Sequence, residues 1–163
     1  MQLGTLVEFH WKYYDDAQAE KISVPGFKWI ILSEADKASV REKIVTKMFE
    51  CENKVVYKQY VRSMTTICRF DYPEKWPNLL TGDITNALNS GNEKGIVTGL
   101  QALWCLTKKY EFEIEEDREP LYPIMQHALG IIGGIIDTYM NQTENEIALK
   151  IMHLVGKVFY NAN

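Results

Sequence analysis

Nowhere among the 163 residues is there an unbroken apolar run of the roughly 18 residues that a membrane-crossing helix needs. The longest such run, Ala128–Ile136, is about half that length and contains three glycines, so no membrane partner is predicted. Histidine is scarce: His10, His127 and His153 are scattered, no His-Glu-x-x-His occurs, and no cysteine pair has zinc-ligand spacing. No metal is expected. Cys51, Cys68 and Cys105 are odd in number and far apart, and they read as buried reduced thiols, which suits a reducing compartment. Positive charge is not in excess. With 18 basic against 22 acidic residues the net charge is −4, which disfavours direct nucleic-acid binding and fits a protein that meets basic partners. A phosphate-cradling loop is also missing, since Gly130-Ile131-Ile132-Gly133-Gly134 matches neither the dinucleotide nor the P-loop pattern and follows no strand. No basic stretch followed by an apolar core opens the chain, so no secretory signal is expected and the sequon Asn141-Gln142-Thr143 reads as fortuitous. The carboxylates gather in one run, Glu111, Glu113, Glu115, Glu116, Asp117 and Glu119, which is a polar connector and not a pair held in an apolar cleft. The chain is therefore not predicted to be an enzyme, and no cofactor is expected.

What the sequence does contain is apolar periodicity. At 46% apolar and 12% aromatic it has the composition of one packed globular unit. Leu3, Leu6, Val7 and Trp11 form a helical stripe with no cap before it, so residues 1–14 are expected to be a lone helix that the chain enters part-way. Residues 15–32 read as a long connector whose Phe27, Trp29, Ile30 and Ile31 pack back over helix ends. Ser33 then caps a helix, with Asp36 in the capping-box place and Val40, Ile44, Val45, Met48 and Phe49 as its buried face. Further helices are predicted from about Asn53 to Phe70, Lys75 to Leu88, Asn92 to Tyr110, Pro120 onward, and Glu144 to about Tyr160. Gly133-Gly134 should kink or break the helix that starts near Pro120, because each glycine costs roughly 1 kcal/mol against alanine. The pairs 33–70, 75–111 and 118–161 start near Ser33, Glu74 and Arg118, 41 and 44 residues apart. Such spacing matches helical-pair repeats of roughly 40 to 47 residues, so the predicted fold is an all-α superhelix of about seven helices.

The stretch Phe70-Asp71-Tyr72-Pro73-Glu74-Lys75-Trp76-Pro77-Asn78-Leu79-Leu80 organises this arrangement. Val56, Tyr60, Met64 and Ile67 lead into it, Pro73 stops that helix, Pro77 is tolerated only in the first turn of the next, and Trp76 should be buried in the elbow between them. The elbow resembles the Asp-x-Pro-x-x-Trp-Pro-x-Leu-Leu turn of the importin-β superfamily, nuclear transport receptors built from HEAT repeats. The likeness extends through Lys109-Tyr110-Glu111-Phe112, Glu119-Pro120-Leu121 and Met125-Gln126-His127, and upstream to Asp36–Val45. In these tracts the chain is similar to the importin seven and eight subgroup. The resemblance implies a right-handed HEAT/armadillo-like solenoid, an amino-terminal piece of a much longer receptor, and shuttling between cytoplasm and nucleus through the pore. Its implied partners are Ran in the GTP form, basic protein cargo and phenylalanine-glycine nucleoporins.

Polar and basic residues recur at helical spacing on the second helix of each pair: Lys58, Arg62, Thr65 and Arg69, then Lys94, Thr98, Gln101 and Lys108, then Lys150, His153 and Lys157. Periodicity alone reads these as ordinary solvated faces. In a solenoid, however, second helices align on the concave side, and the resemblance implies that this face grips Ran. The acidic run Glu111–Glu119 reads either as a solvated connector or as a contact for a basic partner. The alternative function is a HEAT-repeat scaffold with no GTPase partner.

Overall fold

The structure, a computed structural model, describes residues 33–162. It is all-helical, with no strand among the described residues, as the periodicity requires. Six α-helices occur there: α1 (Glu34–Glu50), α2 (Lys54–Asp71), α3 (Thr85–Leu88), α4 (Glu93–Thr107), α5 (Leu121–Tyr139) and α6 (Glu146–Ala162). The expected lone helix 1–14 and the connector 15–32 lie outside the described residues, so the count of seven reduces here to six.

Local chemistry sets the helix starts. Asp36 N–H donates to the Ser33 hydroxyl while the Ser33 N–H donates to the Asp36 carboxylate, which completes the capping box and opens α1. Asn53 accepts from the N–H groups of Val55 and Val56 at the start of α2, Asn92 from Gly95 at the start of α4, and Asn145 from Ile147 and Ala148 at the start of α6. Between α3 and α4 the chain turns at Gly91, whose φ of 72° lies in the left-handed region that glycine occupies at no steric cost.

α4 is the centre of the molecule. Ile96, Val97, Leu100, Leu103, Cys105 and Leu106 are all buried and cover most of its circumference, which leaves only a narrow strip with Lys94 and Gln101 open to solvent. It packs against α2 on one side and α6 on the other, so the second helices of the three pairs form one layer. α1 lies over α2 and α4, α3 packs on α4, and α5 packs on α6, which makes the other layer. Met48, Met64, Ile67, Leu79, Ile132 and Ile151 fill the space between them and are fully buried. Phe49, expected inside, is 37% exposed because it sits at the carboxyl end of α1 beneath the Lys94 ammonium.

Two other expectations are corrected. The third helix begins at Leu79 and not near Lys75, and its first part, Leu79–Ile84, has π geometry before α3 follows. The Lys75 and Trp76 N–H groups both donate to the Asp71 carbonyl, at 2.7 and 3.0 Å, so the elbow closes as a turn first. Pro77 has no N–H with which to continue a helix from there. The Thr85 hydroxyl donates to the carbonyl of Leu80, five residues back, which supports the wider π turn. The elbow buries Trp76 to 6% exposure, the outcome expected of it. The second correction concerns α5, which runs unbroken through Gly130, Gly133 and Gly134. Buried Ile132 and Ile135 anchor the same turns, and burying such side chains contributes about 1.5–3 kcal/mol each, which outweighs the glycine cost.

Candidate protein-binding groove

A groove of about 660 Å³ crosses the layer of second helices. α2 contributes Lys58 and Arg62, α4 contributes Lys94, Thr98 and Gln101, and α6 contributes Lys150 and Lys157. Seven of the eleven ridge positions therefore come together on one surface. The other four do not. Thr65 is half-buried and its hydroxyl donates to the Val61 carbonyl at 2.9 Å. Arg69 and His153 are exposed outside the groove, and Lys108 turns toward Glu111 in an ion pair of 3.0 Å. Thr98 lines the groove but is only 2% exposed, and its hydroxyl donates to the Lys94 carbonyl, so little of it is offered to a partner.

Sequence reasoning missed the aromatic floor. Trp104 stands between two ammonium groups, Lys108 at 4.9 Å and Lys157 at 5.1 Å from its ring centroid, both within cation–π range. The four-residue step from Trp104 to Lys108 is a helical spacing that could have shown half of this pair. Lys157 comes from another helix, and nothing in the order of residues announces it. Tyr57 also lines the groove, with Lys150 at 6.0 Å from its ring, as do Val61 and Val97. Burial pushes the Tyr57 hydroxyl up to about 12, so it stays protonated, and its oxygen has no hydrogen-bond partner among the described residues. Lys54 and Glu52 complete the rim. The groove thus carries six cations and a single carboxylate on a chain whose net charge is negative.

Two of the thiols, Cys68 and Cys105, are held protonated at neutral pH. Burial pushes Cys105 up to about 11 and Cys68 well above the ordinary thiol range, and both are fully enclosed. Cys51 is partly exposed at the groove edge, where its thiol donates to the Asn53 carbonyl. No group of three or more metal-ligating side chains occurs among the described residues, and no described helix is long and apolar enough to cross a membrane.

The acidic run forms a separate surface. Glu113, Glu115, Glu116, Asp117 and Glu119 are exposed on and around a 3₁₀ turn, Glu115–Arg118, while Glu111 is partly covered by its pairing with Lys108. Phe112 and Ile114 stand out from it, 87% and 63% exposed.

These features describe a segment of a two-layer helical-repeat solenoid with a basic, aromatic-floored groove on one layer. Comparison with known proteins agrees with that class. The chain is 27% identical over 141 residues to Importin-8 of Danio rerio, an overlap that covers 80% of this chain and 13% of that protein. It is 28% identical over 144 residues to Exportin-2 of Xenopus laevis, with 81% and 14% covered. It is 29% identical over 136 residues to the Importin beta-like SAD2 homolog of Arabidopsis thaliana, with 80% and 12% covered. The chain thus spans about 12–14% of the length of the relatives it matches. An importin and an exportin match it equally well, so the shared signal supports the importin-β superfamily and not one subgroup within it. No family profile matches the chain, and no solved structure does.

Proposed function

We propose that this chain is part of a nuclear transport receptor of the importin-β superfamily, a binding protein and not an enzyme. On this reading residues 33–162 are three HEAT-type pairs of a longer, right-handed solenoid, and the second-helix groove engages Ran in its GTP form. The observation that carries the reading is the convergence of Lys58, Arg62, Lys94, Gln101, Lys150 and Lys157 from three successive second helices onto one groove, in a chain similar to importins and exportins. The acidic run from Glu111 to Glu119 is then a contact for basic cargo, and the other layer a site for phenylalanine-glycine nucleoporins. Shuttling between cytoplasm and nucleus through the pore follows from these partners.

Nucleotide dependence is the test. A surface that reads the ordered switch segments of a GTPase binds its GTP state and not its GDP state. The full-length protein should be retained by immobilised Ran loaded with a non-hydrolysable GTP analogue and pass through Ran loaded with GDP. Equal retention on both, or retention on neither, would overturn the GTPase reading and leave a HEAT-repeat scaffold.

A further inference from the structure

Three features of the groove belong together: its charge, its floor and the state of its cations. Lys58, Lys94, Lys150 and Lys157 have no carboxylate within ion-pair distance among the described residues, although the chain as a whole is acidic. Three of these four instead stand over aromatic rings, Lys94 over Phe49, Lys150 over Tyr57 and Lys157 over Trp104. A ring face orients an ammonium without neutralising it, so the positive charge remains available to an incoming anion. Between the lysines lies apolar surface from Val61, Val97 and the Trp104 ring, which rewards a ligand carrying an apolar side chain as well as charge.

We infer that the groove seats an acidic protein segment, with two or more carboxylates on Lys94, Lys150 and Lys157 and an apolar side chain against Trp104 and Val97. This deepens the proposed function and rests on its reading of the second-helix layer as a protein-binding face. It also reverses the expectation from net charge, since the partner of this surface is acidic where the whole-chain balance of −4 pointed to basic ones. Charge complementarity selects a peptide over a nucleic acid. A polyanion longer than the groove would run onto the rest of the chain, which is more acidic than the overall balance because six cations are concentrated here.

The experiment uses the full-length protein and a fluorescent peptide of alternating glutamate and aspartate with one central leucine, read by anisotropy at low and raised salt. Wild type should bind, lose affinity as salt rises, and fail to bind a peptide with glutamine and asparagine in place of the acids. Lys94→Glu with Lys150→Glu should weaken binding by about tenfold or more, and the Lys→Gln pair by less. Lys43→Glu, on the exposed side of α1, should leave it unchanged. Circular dichroism of each variant guards against misfolding. Equal binding of the neutral peptide, or indifference to the Lys94 and Lys150 changes, would overturn the inference. So would tighter binding of a single-stranded RNA oligonucleotide through the same lysines. The two proposals fail separately: GTP-dependent retention on Ran with no lysine-dependent peptide binding sinks only this one, and the converse result sinks only the Ran reading.

Discussion

The Asn161 carboxamide, near the end of α6, donates to the Thr107 hydroxyl at 3.2 Å, and both side chains are buried. The same nitrogen lies 3.4 Å from the Trp104 carbonyl, and Arg118 donates to the Asn161 carbonyl at 3.0 Å. One residue thereby fixes α6 against the turn of α4 that carries the groove's tryptophan. Replacing it by leucine keeps the volume but leaves the Thr107 hydroxyl without this donor. The Thr107 hydroxyl keeps its own bond to the Trp104 carbonyl, so the expected loss is about 0.5–1.5 kcal/mol of unfolding free energy, the usual net worth of one hydrogen bond. Chemical denaturation checks this, and the tryptophan emission of the native state should shift as Trp104 loses its fixed place. A loss below about 0.5 kcal/mol would show that the contact adds nothing beyond packing.

Arg41 and Asp71 form a second buried tie, 30 residues apart in sequence, with side chains 11% and 3% exposed. It clamps α1 to the elbow at the point where α2 ends. Removing one partner strands the other, so Arg41→Met should destabilise by about 3–5 kcal/mol. The double change Arg41→Met with Asp71→Leu should recover most of that, because apolar replacement of a whole buried pair is often neutral. A double-mutant cycle measures the coupling directly. Additive losses would mean the two charges do not hold each other.

How much of this was legible follows from where each signal lives. The cap at Ser33, the helix starts at Asn53 and Asn92 and the stop at Pro73 are local chemistry, readable from a few neighbouring residues, and they placed the starts of α1, α2 and α4 and the end of α2 to within about a residue or two. α4 ends at Thr107, however, and Lys108–Tyr110, expected within it, form a 3₁₀ turn. The late start at Leu79 was not legible, since it depends on two N–H groups sharing the Asp71 carbonyl, a three-dimensional competition. Continuity of α5 through its glycines is set by what Ile132 and Ile135 bury against, again a tertiary matter. For the groove, spacing identified seven residues that do converge, yet it could not separate Thr98, whose hydroxyl serves its own helix, from Gln101. Spacing did not single out Trp104, because its partner Lys157 comes from another helix.

Two carboxylates give stability opposite pH dependences. The hydrogen bond from Lys37 holds Glu34 below its ordinary value, helped by the charges of Lys37, Lys75 and Arg41. Glu34 therefore contributes stability above about pH 4.5 that is lost as pH falls through its lowered native value. Burial pushes Asp83 up, against the pull of a hydrogen bond with Trp76. Its contribution is present below about pH 3.8 and is lost as pH rises through the raised native value. Both groups are partly solvated, so screening keeps each effect small. In urea titrations across pH, Glu34→Gln should flatten the acid side of the profile, and Asp83→Asn should remove a decline above it. The same slope in Asp83→Asn as in wild type would assign that decline elsewhere.

Glycines in two helices should respond to alanine with opposite signs. At Gly99 of α4 an added methyl would meet the Leu88 backbone nitrogen at 2.8 Å and its side chain at 2.9 Å, so the short helix α3 approaches here only because no Cβ is present. Backbone cannot step aside as a flexible side chain can. Gly99→Ala should therefore cost about 1–3 kcal/mol as an overpacking change. At Gly133 of α5 nothing lies within 4 Å of the added methyl, and the helix is continuous through it. Gly133→Ala should gain up to about 1 kcal/mol, the helical preference of alanine over glycine. Urea midpoints of the two variants, measured at unchanged slope, decide both points. The sign at Gly133 is the sharper result, because a kinked helix at this glycine would have used its extra backbone freedom. In that case alanine would destabilise the protein, and the uninterrupted α5 would be wrong.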